Sequence, residues 1–194
     1  MTRPPLSTTE YAVLGLLAER PSHGFAVSKR LDPDSDVGRV YTVRRPLVYR
    51  ALDRLVEAGY AEPVSTEKGD AGPQRVIHRV TPRGRRRLHR WLGEPVGHIR
   101  DLRIEFLLKL ALLRRSGRSP IDLIREQRAA LDATLAALED PKPHPGDHVE
   151  LWRRHNAATA AAYLDDLERL YTPRRPGPPL SSSAQSPERD RHQP

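Results

Sequence analysis

Four arginines, Arg44, Arg45, Arg50 and Arg54, crowd into one stretch, RRPLVYRALDRLVEAGY at 44–60. Guanidinium groups fork onto phosphate oxygens and guanine edges, so their chemistry is recognition of a polyanion. Val48, Leu52 and Leu55 recur at i, i+4 and i+7 with Ala51 beside them, which predicts a helix with one apolar stripe and the arginines off it. Pro46 suits a first turn and Gly59 a C-terminal stop, so the boundaries are marked independently of the charges. Arg44 and Arg45 are expected to reach base edges or groove phosphates, Tyr49 and Arg50 to hold phosphates, and Arg54 to be peripheral. Tyr49 serves equally well as half of a core contact.

Beyond Gly59 the pattern turns to short alternating stretches, Tyr60 to Thr66 and Arg75 to Val80, around the tip KGDAGPQ. This predicts a hairpin. Lys68, Gln74 and Arg75 would follow a minor groove or backbone, although a hairpin tip also gathers charge without a role. The run Arg83, Arg85, Arg86, Arg87 reads as a solvated helix face.

Other chemistries find little footing. The chain has no cysteine, which removes disulfides and thiolate metal sites. It carries no Gly-rich phosphate loop, no nucleophile in a strand-turn-helix setting and no His-Glu-x-x-His run, so no enzyme and no cofactor is expected. His144 and His148 have the i,i+4 spacing of a zinc pair, but Pro143 and Pro145 argue against the helix that pair would need, and no metal is expected.

A helix that reads DNA needs a scaffold to present it. Ser7 and Glu10 form a capping box for a helix buried through Tyr11, Leu14, Leu17 and Ala18, which Pro21 ends. Ser22 is expected to cap a second helix, HGFAVSKRL, with Phe25, Val27 and Leu31 facing inward, ending at Asp32-Pro33, and DPDSDVGRVYTV to form a loop. Thr81-Pro82 opens a helix after the hairpin, with Leu88, Trp91 and Leu92 inward. Helices, charged hairpin and return helix in this order predict a winged helix-turn-helix.

The second half has a different task. Residues 99–115, IRDLRIEFLLKLALLRR, predict a helix too apolar for a single buried face. Ser119-Pro120 starts another, on which Ile121, Ile124, Leu131, Leu135 and Leu138 form a near-heptad seam. After a break at EDPKPHPGD, the residues Val149, Trp152, Asn156, Tyr163, Leu167 and Leu170 repeat that spacing. Asn156 either sets register in such a seam or lies solvated at its edge. Two seams imply a homodimer. Trp152 and Tyr163 read first as core or dimer contacts, and secondarily as walls of a cavity where a flat aromatic effector stacks.

Charge divides in the same place. Of the formal net charge of +8, residues 1–93 hold 17 basic against 10 acidic side chains, residues 94–172 hold 12 against 13, and the remainder 4 against 2. A basic half joined to a near-neutral half suggests a polyanion-binding module attached to an assembly module. The tail TPRRPGPPLSSSAQSPERDRHQP should be disordered. The start MTRPPLSTTE lacks a signal-peptide core and no apolar run could span a bilayer, so a cytoplasmic location with no membrane partner is expected.

LGLLAERPSHGFAVSKRL, LVYRALDRLVEAGY and GPQRVIHRVTPRGRRRLHRWL together resemble the PadR family of transcriptional regulators, in its longer subgroup with a C-terminal helical domain. The resemblance aligns His23-Gly24-Phe25 with the family's His-Gly-aromatic signature, Val48-Tyr49 with Leu52 and Leu55 with its recognition helix, and Thr81 with Gly84 with its Thr-x-x-Gly. Two positions depart: Arg44-Arg45-Pro46 stands where a small polar cap is usual, and His78 where an aromatic is usual.

The expected architecture is mainly α: an N-terminal winged helix-turn-helix with a two-stranded wing (1–95), a C-terminal antiparallel α-helical dimerisation domain (96–172) and a disordered tail (173–194). The expected function is a homodimeric repressor that binds double-stranded DNA at an inverted repeat and is released by a small-molecule effector. The alternative is a winged-helix interaction module that docks an acidic protein without reading DNA sequence.

Overall fold

The structure, a computed structural model, describes residues 5–69, 72–139 and 147–172. The predicted tail at 173–194, His144, most of the break at 139–147 and the side chains of Lys68 and Leu138 lie outside the described residues.

Helix α1 (Thr8–Glu19) starts at the predicted capping box: Ser7 Oγ accepts from the Glu10 amide at 3.3 Å, and the Glu10 carboxylate accepts from the Ser7 amide at 2.7 Å. Tyr11 through Leu17 are all buried, because other elements surround α1 rather than cover one face. After Pro21 come a two-residue strand β1 (Ser22–His23), helix α2 (Gly24–Lys29), a turn-rich loop, helix α3 (Arg45–Glu57), strands β2 (Ala61–Gly69) and β3 (Gly72–Val80), and helix α4 (Pro82–Gly93).

The sheet runs β1-β3-β2, antiparallel throughout. It therefore has three strands where the sequence predicts two. Ser22 and His23 pair with His78 and Ile77 across the sheet, so the predicted helix cap moves one residue on: His23 Nδ1 accepts from the Ala26 amide at 3.1 Å. The hairpin is also longer than predicted, with pairing carried out to Gly69 and Gly72. Register shifts near Pro63 and Glu67 interrupt β2, and β2 is an edge strand, where a proline can face away from the ladder.

A linker leads to a short 3-10 turn (Ile99–Arg103) and helix α5 (Glu105–Arg115), followed by α6 (Ile121–Glu139) and α7 (His148–Tyr171). The single helix predicted over 99–115 is thus two pieces that meet at Ile104. Helix α5 lies directly against α1: a Cβ at Gly15 would fall 2.6 Å from Leu112 Cδ1. Tyr11 and Trp91 stack at 4.2 Å, and Trp91 Nε1 donates to Glu105 at 2.9 Å. Lys109, only 1% exposed, is satisfied there by the Glu94 carbonyl at 2.7 Å, the Glu105 carboxylate at 3.0 Å and the Trp91 ring at 4.8 Å. Buried Gln127 grips the linker by both its amide atoms, accepting from the Val96 amide at 2.7 Å and donating to the Val96 carbonyl at 3.1 Å. A buried charge and a buried amide are each costly unless satisfied this way. The linker is therefore held rather than loose.

Helices α6 and α7 pack against each other, and Leu123, Ile124 and Leu131 on α6 and Ala157, Ala160 and Leu164 on α7 are buried. Arg125–Glu168 at 2.9 Å and Arg128–Asp165 at 2.8 Å flank that contact. Among the described residues, no helix is long and apolar enough to cross a membrane.

Candidate nucleic-acid interface

Helix α3 is bounded as its sequence requires. Arg44 is the N-cap without a side-chain cap bond, Pro46 lies in the first turn, and Gly59 follows the helix with φ +70°. Val48, Ala51, Leu52 and Leu55 are buried, the predicted stripe. Arg44, Arg45, Tyr49, Arg50 and Arg54 all lie on the exposed side. Their surroundings differ. Among the described residues no carboxylate pairs with Arg44, Arg45 or Arg50, whereas Arg54 Nε lies 3.0 Å from the buried Glu10 carboxylate and is turned back toward α1. Tyr49, 46% exposed, rests one ring edge on α2: a Cβ at Gly24 would sit 2.6 Å from Tyr49 Cε1. It is both a packing residue and a solvent-facing phenol.

The His23-Gly24-Phe25 triplet joins three elements at this face. His23 pairs with the wing strand and caps α2, Gly24 makes room for Tyr49 of α3, and Phe25 lies within 6 Å of cations from α2, α3 and β3. The Arg45 guanidinium carbon is 4.8 Å from the Phe25 ring centre, that of Arg75 on β3 is 5.7 Å away, and Lys29 Nζ is 5.9 Å away. Phe25, expected to face inward, is only half-buried and lies at this surface; the sequence signal for it is an aromatic two residues past a helix cap, with arginines on the neighbouring helix and hairpin.

On the wing, Gln74 and Arg75 are exposed, and Arg79 pairs with Glu62 across the strands at 2.6 Å. The Thr81-x-x-Gly84 motif locks α4 behind it. Thr81 Oγ1 accepts from the Gly84 amide at 3.0 Å and donates to the Gly59 carbonyl at 2.8 Å, and a Cβ at Gly84 would come within 2.0 Å of the Tyr60 carbonyl oxygen. Three of the α4 arginines turn onto the body of the domain: Arg83 covers Tyr60 at 5.1 Å, Arg87 covers Tyr11 at 5.7 Å, and Arg85 reaches the Ala18 carbonyl, while Arg86 is exposed as a solvated face predicts.

The predicted seam residues take several environments. Ile124 and Leu131 are in the chain's own core, Ile121, Leu135 and Leu167 are partly buried, and Val149, Trp152, Tyr163 and Leu170 are exposed along one side of α7, Trp152 to 69%. Asn156 Nδ2 donates to the Trp152 carbonyl on its own helix at 2.8 Å. Trp152 lines a cavity of about 810 Å³ with Asn156, Arg153, Arg100, Arg103 and Ile104. Tyr163 is not among its walls; eleven helical residues on, it stands about 16 Å further along α7. No cluster of potential metal ligands occurs among the described residues.

With this geometry in place, residues 13–90 match the Transcriptional regulator PadR-like family. They form a PadR-like domain. That family comprises transcriptional regulators rather than enzymes. Within the PadR-like domain fall α3, the wing, the His-Gly-Phe triplet and most of α4. A probable transcriptional regulator of Mycobacterium tuberculosis is 28% identical over 90 residues, which is 46% of this chain and 46% of that protein. The chain thus spans about half the length of the curated relative it matches. Among solved structures, Bacillus subtilis PadR in complex with operator DNA is 20% identical, with a TM-score of 0.45 over 87% of this chain and 100% of that one. The same protein in complex with p-coumaric acid gives 18% identity and a TM-score of 0.38 over 88% and 98%.

Proposed function

We propose that this chain is a homodimeric, sequence-specific DNA-binding repressor that sits on an inverted-repeat operator. The observation that carries the reading is the solvent face of α3, where Arg44, Arg45 and Arg50 project without a carboxylate partner among the described residues, on a helix that lies within the PadR-like match. Unpaired guanidinium groups on a helix of that kind are suited to groove edges and phosphates. The residues assigned to DNA are Arg44, Arg45, Tyr49, Arg50 and Arg75, with Gln74 and Lys68 on the wing. Arg54, held by Glu10, is peripheral.

The reading divides the chain near residue 95, after α4, with residues 96–172 as the dimerisation part. The exposed Val149, Trp152, Tyr163 and Leu170 on α7 support it, since apolar side chains aligned on one side of a long helix gain by covering one another in a second copy. Two copies would set two α3 helices on half-sites about 34 Å apart. The cavity beside Trp152 offers an indole face among Arg100, Arg103 and Arg153, suited to a small aromatic acid whose binding releases the operator.

The test is retention of operator duplex by Arg44→Ala/Arg45→Ala. Loss of selective binding by about 100-fold or more with the dimer intact is expected, since each good base or phosphate contact is worth about 1–3 kcal/mol. Parental affinity across a salt titration would show that α3 does not read the operator.

A further inference from the structure

We propose that Phe25 is a positioning residue for DNA, a ring on which Arg45 of α3 and Arg75 of the wing are held so that together they seat one backbone phosphate between recognition helix and wing. This rests on the DNA reading above and assigns that surface a residue it did not include. Three positive groups approach one ring within 6 Å: Arg45 at 4.8 Å, Arg75 at 5.7 Å and Lys29 at 5.9 Å. Lys29 also pairs with Asp32 at 3.1 Å, but no carboxylate among the described residues pairs with either arginine. Like charges gathered this closely repel unless something between them is negative, and the faces of an aromatic ring are. The ring compensates the cluster only in part and carries no formal charge. What remains is two guanidinium groups, from a helix and a strand, gathered at one ring with no carboxylate within ion-pair distance among the described residues.

The local structure fixes the ring where this requires it. His23 stacks beside Phe25 at 6.3 Å and anchors the start of α2 twice, by its cap on Ala26 and by its strand pairing with Ile77. Gly24 admits Tyr49, which presses α3 against the same helix start. The ring therefore sits at a place that side chains of both α3 and β3 reach. A flexible arginine pays rotamer entropy when it is ordered on a phosphate, and an arginine already laid on a ring has lost much of that freedom beforehand. Phe25 would thus lower the cost of two phosphate contacts without touching DNA itself.

Three variants of the whole 194-residue chain test this: Phe25→Leu keeps apolar bulk without the ring faces, Phe25→Trp keeps the faces, and Phe25→Leu in an Arg45→Ala background asks whether the two act together. On a duplex recovered by selection, Phe25→Leu should bind roughly tenfold more weakly and lose about one unit of salt slope, with its melting temperature near the parent's. Phe25→Trp should bind within about twofold of the parent, and the leucine change should add little once Arg45 is gone. In the free protein, the Arg45 and Arg75 δ-methylene protons should show upfield ring-current displacement that Phe25→Leu abolishes. If the parent selects a duplex and Phe25→Leu binds it equally at every salt, or if Phe25→Trp is as defective as the leucine variant, the seat is overturned while the DNA reading stands. A parent that prefers no duplex over bulk DNA overturns the DNA reading and the phosphate seat with it. Ring-current shifts that are absent from the parent overturn the platform alone.

Discussion

Two arginine-rich surfaces of this protein contrast in what their charges meet. At the α3 face, Arg44, Arg45 and Arg50 meet solvent and Arg45 also an aromatic ring. At the junction of α1, the loop before α3 and α5, Arg115 forks onto Glu19 at 2.7 and 2.8 Å and also bonds Asp36, while Arg30 bonds the same Glu19. Burial by itself would raise the Glu19 carboxyl, but the Arg115 hydrogen bonds and the Arg30 charge outweigh it and hold the group below its ordinary value. One surface has spent its charge within the molecule and the other has kept it. Net charge and arginine count do not distinguish the two; the partner of each guanidinium does.

The contrast predicts opposite phenotypes. Arg44→Ala/Arg45→Ala should abolish operator retention and leave the melting temperature unmoved. Arg115→Ala should leave operator affinity within a few-fold and lower stability by about 1–2 kcal/mol, the lower part of the range for charge-assisted bonds because Asp36 is largely exposed. In a chain of this size that is a fall of several degrees in Tm by calorimetry. An Arg115→Ala protein that melts with the parent would erase the distinction between spent and free charge.

The smallest expected effect concerns His78, in the strand that joins wing to β1. Its ring is pushed below the ordinary histidine value mainly by burial, opposed by the charge of Asp53 and a bond with the Val76 backbone, and its buried Nδ1 has no hydrogen-bond partner among the described residues. The unfolded chain therefore takes up a proton near pH 6.5 that the folded one refuses, so stability falls as pH drops from there and levels off once the folded value is passed. His89 is lowered too, by burial and by Arg118 and Arg85, and adds in the same direction. His78→Phe should melt with a shallower pH dependence than the parent between about pH 7 and 5; an unchanged slope would remove His78 from that account.

What the sequence made legible follows the range of the interactions involved. The capping box at Ser7 and Glu10 and the stripe Val48, Leu52, Leu55 depend on residues within two turns of each other, and both stand as read. The third strand depends on Ser22 meeting His78, and the restraint on Arg54 on a carboxylate far upstream in α1, neither of which is visible to local periodicity. Trp152 and Tyr163 share a side of α7 as their spacing indicates, yet a face is not a site: three turns separate them and only Trp152 reaches the cavity. The role of Phe25 was hidden for the same reason, since its cations come from a helix and a strand that lie next to each other only after folding.

Selection of bound sequences from a random duplex pool tests the central claim most directly. An inverted repeat with half-sites about one helical turn apart, enriched by the parent and not by Arg44→Ala/Arg45→Ala, is the predicted result. Recovery of no preferred sequence, with only shallow salt-dependent binding to bulk duplex, would contradict it and favour a basic surface that docks an acidic protein.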